Sequence, residues 1–300
     1  PLNFLSSHIK CGNSLVGATP ELIAGGIPDG AYKPRTGDDK AFASEYRKQN
    51  KGERKDAKGL YQQSLFDKDG PWNHLGDLAR HVAKVEAIED DSLEHRQEKE
   101  RRYTELIQST GYLSGHLLAD MWCSAFFWPL VESDELPYPP TSARIWRVER
   151  RPHDCPPWLR DEVQRLGEEH GFFHWHLEFP EVFNEDRQGF DCMVGNPPWE
   201  RVKLQEKEFF ASRDGAIANA PNAAKRRKLI NALATADPAV DPDKVQLWRD
   251  FSHAKNTSEC ISSFLRESGR FPLTAVGDVN TYQVFAGLFR QIIGVHGRLG

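Results

Sequence analysis

The 300-residue sequence has no apolar run near the roughly 20 residues that a bilayer-spanning helix needs, and no charged-then-apolar leader at its start. Membrane insertion and export are therefore not expected, and a cytoplasmic location is. Cysteine is scarce and scattered. Cys11, Cys123, Cys155, Cys192 and Cys260 form no CxxC pair and no Cys/His ligand spacing, and their odd number argues for free thiols over a disulfide framework. Positive charge is not in excess either. With 39 Lys and Arg against 44 Asp and Glu the net charge is −5, so any hold on nucleic acid must come from local patches or from outside these residues. Missing too is a strand, glycine-rich turn and helix in succession: Gly25-Gly26-Ile27-Pro28-Asp29-Gly30 follows no strand and opens no helix.

What remains is globular material, 39% hydrophobic and 28% charged, long enough for one large or two ordinary domains. Residues 8–15 read as a short strand that stops at a polar turn, followed by a polar region through about residue 70. Residues 74–108 carry Leu75, Leu78, Val82, Val85 and Ile88 at three- and four-residue steps, the pattern of one amphipathic helix. Residues 117–130 are dense enough in apolar side chains for a buried helix, ended by the prolines of 137–140. Residues 172–179 are aromatic and partly alternating, as in a strand, and 181–188 read as a turn. The apolar run 190–194 halts at Gly195-Asn196-Pro197-Pro198, which predicts a buried parallel strand ending in a loop. Helical stretches follow at 205–234 and 245–267, then an amphipathic helix capped by Asn280, then the start of a strand at Gly297. Strand ends separated by helices imply an α/β sheet, whose ligands lie beyond the carboxyl ends of the strands, the edge shared by Asn13 and Asn196.

Asn196-Pro197-Pro198-Trp199 is the strongest chemical signal. An exocyclic amine of a nucleobase is a poor nucleophile, because its lone pair is delocalised into the ring. An acceptor on each N–H draws that nitrogen toward tetrahedral geometry. The Asn196 side-chain oxygen supplies one acceptor and the Pro197 carbonyl the other. Pro198 adds stiffness that preorganises both oxygens. Trp199 offers a flat face to a base swung out of its duplex, and stacking of about 1–3 kcal/mol is comparable to the few kcal/mol that extrusion costs. The bland alternative is a tight Pro-Pro turn with Trp199 packed into the core.

The run Phe173-His174-Trp175-His176-Leu177-Glu178-Phe179-Pro180-Glu181-Val182-Phe183, with Gly189-Phe190-Asp191 and Gly195-Asn196-Pro197-Pro198-Trp199-Glu200, resembles gamma-class adenine-N6 DNA methyltransferases. The likeness is to the large enzymes of type IIG restriction-modification and of BREX- and DISARM-like phage defence. It covers about residues 3–18, 117–128, 171–212 and 278–300. The resemblance implies part of a Rossmann-like sheet that uses S-adenosyl-L-methionine, with a large, mainly helical insertion. It implies a third-strand segment at 1–18, the insertion at 19–170, and the catalytic loop with its following helices at 171–300. Asn196, Pro197, Pro198 and Trp199 match the family's catalytic motif. Asn13 corresponds to a cofactor-adenine contact that is commonly acidic, Asn280 to a cofactor contact, and Tyr282 and Phe285 to the lining of the base pocket. The implied partner is double-stranded DNA, with other defence-system proteins as further partners and no membrane. The family's glycine-rich cofactor loop is not found. The chain starts at Pro1-Leu2 and stops at a strand entry, so both ends are read as cut, with that loop upstream and a target-recognition domain downstream. Such a piece is not expected to methylate DNA alone.

Other enzymes with this motif act on RNA bases or glutamine amides, but they are usually compact, whereas about 180 residues separate Asn13 from Asn196 here. A non-catalytic interaction module on the same fold stays open. Lys225-Arg226-Arg227-Lys228 and Arg144, Arg147, Arg150 and Arg151 could touch phosphates, though a solvated helix face explains the first group as well. His174 and His176 have no third ligand spaced for a metal, and Glu178 and Glu181 read as structural.

Overall fold

The computed structural model describes residues 7–56, 75–89, 91–184 and 188–300. In chain order the helices are α1 (Pro20–Ala24), α2 (Lys40–Asp56), α3 (Leu75–Glu86), α4 (Leu93–Ile107), α5 (Thr110–Ser124), α6 (Ser142–Arg150), α7 (Pro157–His170) and α8 (Trp175–Glu178). Strand β1 (Phe190–Met193) follows, then α9 (Glu206–Ala211), α10 (Gly215–Ala218), α11 (Ala223–Ala234), α12 (Pro242–Glu267), α13 (Thr281–Ile292) and β2 (Ile293–Leu299).

The main core grows from α5 and the segment after it. Leu118, Met121, Trp122, Phe126, Trp128 and Leu130 are all but inaccessible, joined by Ile23 of α1 and by Ile27 and Tyr32 of the segment after it. Phe264 of α12 meets Trp122 and Phe126 edge-on, with ring centres 6.1 and 5.2 Å away. Edge-to-face packing places the positive ring edge on the negative ring face. Several of the polar groups taken inside are matched. The Trp122 indole N–H donates to Gly26 O at 3.1 Å and the Tyr32 hydroxyl to Pro140 O at 2.7 Å. Buried Asn50 donates to Ile27 O at 2.8 Å and accepts from the Ser142 N–H and hydroxyl at 3.0 and 2.7 Å, tying α2 to α6. A second, smaller core of Phe210, Ile217, Ile230, Leu233 and Phe251 forms among α9, α10, α11 and the first half of α12. The second half of α12 sends Cys260, Phe264 and Leu265 into the main core, so one helix serves both.

Several expectations change. The described residues contain one sheet of two strands, β1 parallel to β2, and not a broad Rossmann-like sheet. Residues 8–15 form a turn with an isolated parallel bridge, Asn13 to Phe172, because the Asn13 side-chain oxygen accepts the Leu15 N–H at 3.2 Å and curls the chain. Residues 172–179 are not a strand. Past that bridge they wind into the single turn α8, and their aromatic alternation builds a ring cluster of Phe173, Trp175, Phe179 and Phe190. The helix expected over 74–108 is broken, since Ser92 caps a new start by accepting the His95 N–H at 3.1 Å. The stretch 205–234 is three helices, with Asp214 and Asn222 capping the later two. Strand β1 is half-exposed where a buried strand was expected, because among the described residues only β2 flanks it. Residues 3–6, part of the polar stretch through residue 70, and part of the 181–188 turn lie outside the described residues. No helix is long and apolar enough to cross a membrane among the described residues.

Candidate functional site

The 196–199 loop leaves the carboxyl end of β1, which is locked to β2 by the Gly300 N–H donating to Met193 O at 3.0 Å and the Gly195 N–H to Gly300 O at 3.3 Å. Gly195 lies close over Phe289 of α13: a β-carbon there would sit 3.0 Å from the ring tip. Past the loop the chain pairs antiparallel with the entry to α13. Arg201 bridges Asn280, the Val202 N–H donates to Val279 O at 3.1 Å, and the Thr281 N–H donates to Glu200 O at 2.9 Å.

Thr281 closes the loop. Its hydroxyl donates to the Pro198 carbonyl in a short bond and accepts the Glu200 N–H at 3.0 Å. Trp199 is 79% exposed, and its ring stands 5.3 Å from that of Tyr282 at an interplanar angle of 31°. Asn196 is exposed and Pro197 half-buried, and neither the Asn196 carboxamide nor the Pro197 carbonyl has a hydrogen-bond partner among the described residues. The arrangement is a stiff loop with two open oxygen acceptors and an indole face turned to solvent.

The structure thus brings Asn196, Pro197, Pro198 and Trp199 to one place with Asn280 and Tyr282. Phe285 packs one turn further on, 5.9 Å from Phe289. Asn280 caps α13 with Gln283, whose side-chain oxygen accepts the Asn280 N–H at 3.5 Å, while Asn280 Oδ1 is buried and forms no hydrogen bond. Asn13 is not joined to this group by any of its hydrogen bonds. Its N–H donates to Gly171 O at 2.6 Å and its carbonyl accepts the Val16 N–H at 2.9 Å.

A second polar cluster fixes the Asn13 loop. His174 is 1% exposed, and its Nδ1 accepts the Ala18 N–H at 3.0 Å. The ring proton is therefore on Nε2, where it donates to Asp120 at 2.8 Å. Burial lowers the His174 pKa despite that carboxylate, which keeps the ring neutral. Next to it Glu178 binds Lys10 at 3.0 Å and lies 3.3 Å from His116. Burial alone would raise the Glu178 pKa, but His116 and the Lys10 ammonium outweigh it and hold it at about 2. Buried Arg270 donates to Gly17 O at 2.6 Å, and burial pulls its pKa down to about 10.

His116, Asp120 and His174 place ligand atoms within 4.8 Å of one another. A metal ion there would need both His174 nitrogens free of protons while Ala18 still donates to one of them, an imidazolate. The hydrogen bonds instead make these residues a strap between α5, α8 and the 13–18 loop. Sequence inspection missed this strap, although His116 and Asp120 stand four apart on one helix face, which is a readable signal. It also missed Thr281, whose partner Pro198 is 83 positions away.

The sequence of this region matches a methylase family model over residues 132–229, a span that takes in β1, the 196–199 loop, α9, α10 and part of α11. That family is the Eco57I restriction-modification methylases, and the match supports a methyltransferase of restriction-modification systems. No curated protein and no solved structure matches the chain.

Proposed function

We propose that this chain carries the target-base site of a DNA adenine-N6 methyltransferase that draws its methyl group from S-adenosyl-L-methionine. The observation that carries the reading is the loop at the tip of β1: open acceptors at Asn196 and Pro197, an exposed Trp199, and a backbone clamped by Thr281.

An adenine swung out of the duplex would stack on Trp199, with Tyr282 behind it. Its N6 hydrogens would be accepted by Asn196 Oδ1 and the Pro197 carbonyl, which aims the nitrogen lone pair away from the ring plane. S-adenosyl-L-methionine, when bound, supplies an electrophilic methyl carbon on a positively charged sulfur. Asn196 Oδ1 and the Pro197 carbonyl would keep N6 aligned toward that carbon, whose bond pair would stay with sulfur, and the displaced N6 proton would pass to solvent. Of the residues present, Asn280 fits the cofactor through its buried, unbonded side-chain oxygen. Asn13 keeps a second lone pair for the cofactor's adenine amine beside its bond to Leu15. Phe285 completes the wall of the base pocket. The partner is double-stranded DNA, and the role is marking of host DNA in restriction or phage defence, with other defence proteins as companions.

The test is Asn196→Ala in the intact protein. Transfer of labelled methyl to adenine should be abolished while DNA binding is kept. Retained transfer, or label found on cytosine, refutes the reading.

A further inference from the structure

We propose that α11 together with the start of α9 is a phosphate-binding face for duplex DNA beside the target-base loop. The inference rests on the base-site reading above and adds where the DNA backbone lies.

Charge is strongly segregated in this chain. Residues 201–235 hold eight Lys and Arg against three Asp and Glu, a local +5 in a chain of net −5, which leaves −10 on the rest. Helix α11 contains no carboxylate at all. Lys203, Lys207, Lys225, Arg227 and Lys228 are exposed and have no ion pair among the described residues. Two other solvated helix faces look different. On α4, Arg101 pairs with Glu98 and Glu105, and Arg102 with Glu98. On α7, Arg165 pairs with Glu162 and Glu169. Those faces neutralise themselves, and α11 does not.

The placement also runs against helix stability. Lys225 to Lys228 occupy the first half of α11, where aligned peptide dipoles already make the potential positive and cations are unfavourable. Folding offers no reason to gather the three exposed cations Lys225, Arg227 and Lys228 there, and an external anion does. The face is rigid, because Ile230 and Leu233 anchor α11 in the second core, and buried Arg226 lies 4.0 Å from Glu206 at the start of α9. It is also near the loop. Seven residues from Trp199 to Glu206 span at most roughly 25 Å. At about 3.4 Å per base step that span corresponds to about seven base pairs between the extruded base and the start of α9.

The test is the triple variant Lys225→Gln, Arg227→Gln, Lys228→Gln. Its affinity for a dye-labelled duplex is followed by fluorescence anisotropy between about 50 and about 200 mM salt. The plot of log affinity against log salt should become shallower by about 2–3, about one for each lost phosphate contact. Removing three self-neutralised cations, Arg101→Gln, Arg102→Gln and Arg165→Gln, should leave the slope unchanged. Matched circular dichroism and melting curves establish that each variant folds. An unchanged slope in the first triple, or an equal change in the second, overturns the proposal. Tighter binding of single-stranded RNA, lost in the same variant, overturns the duplex assignment. If the slope stays while Asn196→Ala loses methyl transfer, the phosphate face fails and the base site stands. If the slope falls while Asn196→Ala still transfers methyl, the face holds DNA and the base-site reading fails.

Discussion

Thr281→Val is the sharpest probe of the clamp, because valine keeps the volume and removes only the hydroxyl. The change deletes the bond to Pro198 O and the one accepted from the Glu200 N–H at 3.0 Å. Two bonds at about 0.5–1.5 kcal/mol each amount to about 1–3 kcal/mol of loop order. The main-chain bonds Thr281 N–H to Glu200 O and Val202 N–H to Val279 O, at 2.9 and 3.1 Å, survive, so the loop stays attached and the fold is spared. If the acceptors must be held in place at the moment of transfer, that loss appears as a drop in kcat of roughly 5- to 150-fold. KM for the methyl donor should change little. Thr281→Ser restores the hydroxyl and should recover most of the rate. Single-turnover methyl transfer in the intact protein is the assay. A valine variant within about twofold of the parent, with an unaltered melting curve, would show that Thr281 does not preorganise the loop.

Trp199→Ala should leave thermal stability within about 0.5 kcal/mol, since the ring is 79% exposed. It should weaken the fluorescence change of a 2-aminopurine placed at the target position, consistent with the loss of about 1–3 kcal/mol of stacking, and an undiminished signal would remove Trp199 from base capture. Glu178→Gln should destabilise the fold by about 3 kcal/mol near neutral pH, because the native pKa of about 2 lies below the ordinary 4.5. For a depressed carboxyl pKa the stabilisation is complete above 4.5 and is lost as pH falls toward 2. The gap between parent and variant in urea melts should therefore close across that window, and a pH-independent gap contradicts the assignment. Gly17→Ala should cost at least about 2 kcal/mol, since its β-carbon would lie 1.9 Å from Phe173 O, and a melting point equal to the parent's would refute that packing.

The grouping of the candidate site residues was more legible in the sequence than the fold around it. Asn196 to Trp199 are contiguous, and their chemistry depends on neighbours in the chain, so the motif could be read directly. The entry to α13 was equally local, because Asn280 and Gln283 form a start signal three residues apart. Long-range choices were not legible. Whether Phe172 to Phe179 extend or coil is decided by partners far along the chain, such as Ser14 O, which accepts the Trp175 indole N–H at 3.1 Å. Alternating aromatics satisfy a strand face and a ring cluster equally well. Similarly, the apolar spacing of residues 74–108 continues across the break at Ser92, where one hydroxyl outweighs the pattern. Lys225 to Lys228 could be counted in the sequence, but only the structure reveals that Lys225, Arg227 and Lys228 have no ion pair among the described residues, while Arg226 turns inward to Glu206.

The helix α12 does more than link two cores. Ser258 receives the Leu204 N–H at 2.8 Å, and the adjacent Glu259 receives the Thr36 N–H and hydroxyl at 2.7 and 3.0 Å. A single turn thus grips the chain five residues beyond Trp199 with one side chain and the N-terminal loops with the next. The unit bearing α9, α10 and α11 is built like a cantilever whose root is set in the main core, so a load applied at its free end would be transmitted to the stretch leading back to the base loop.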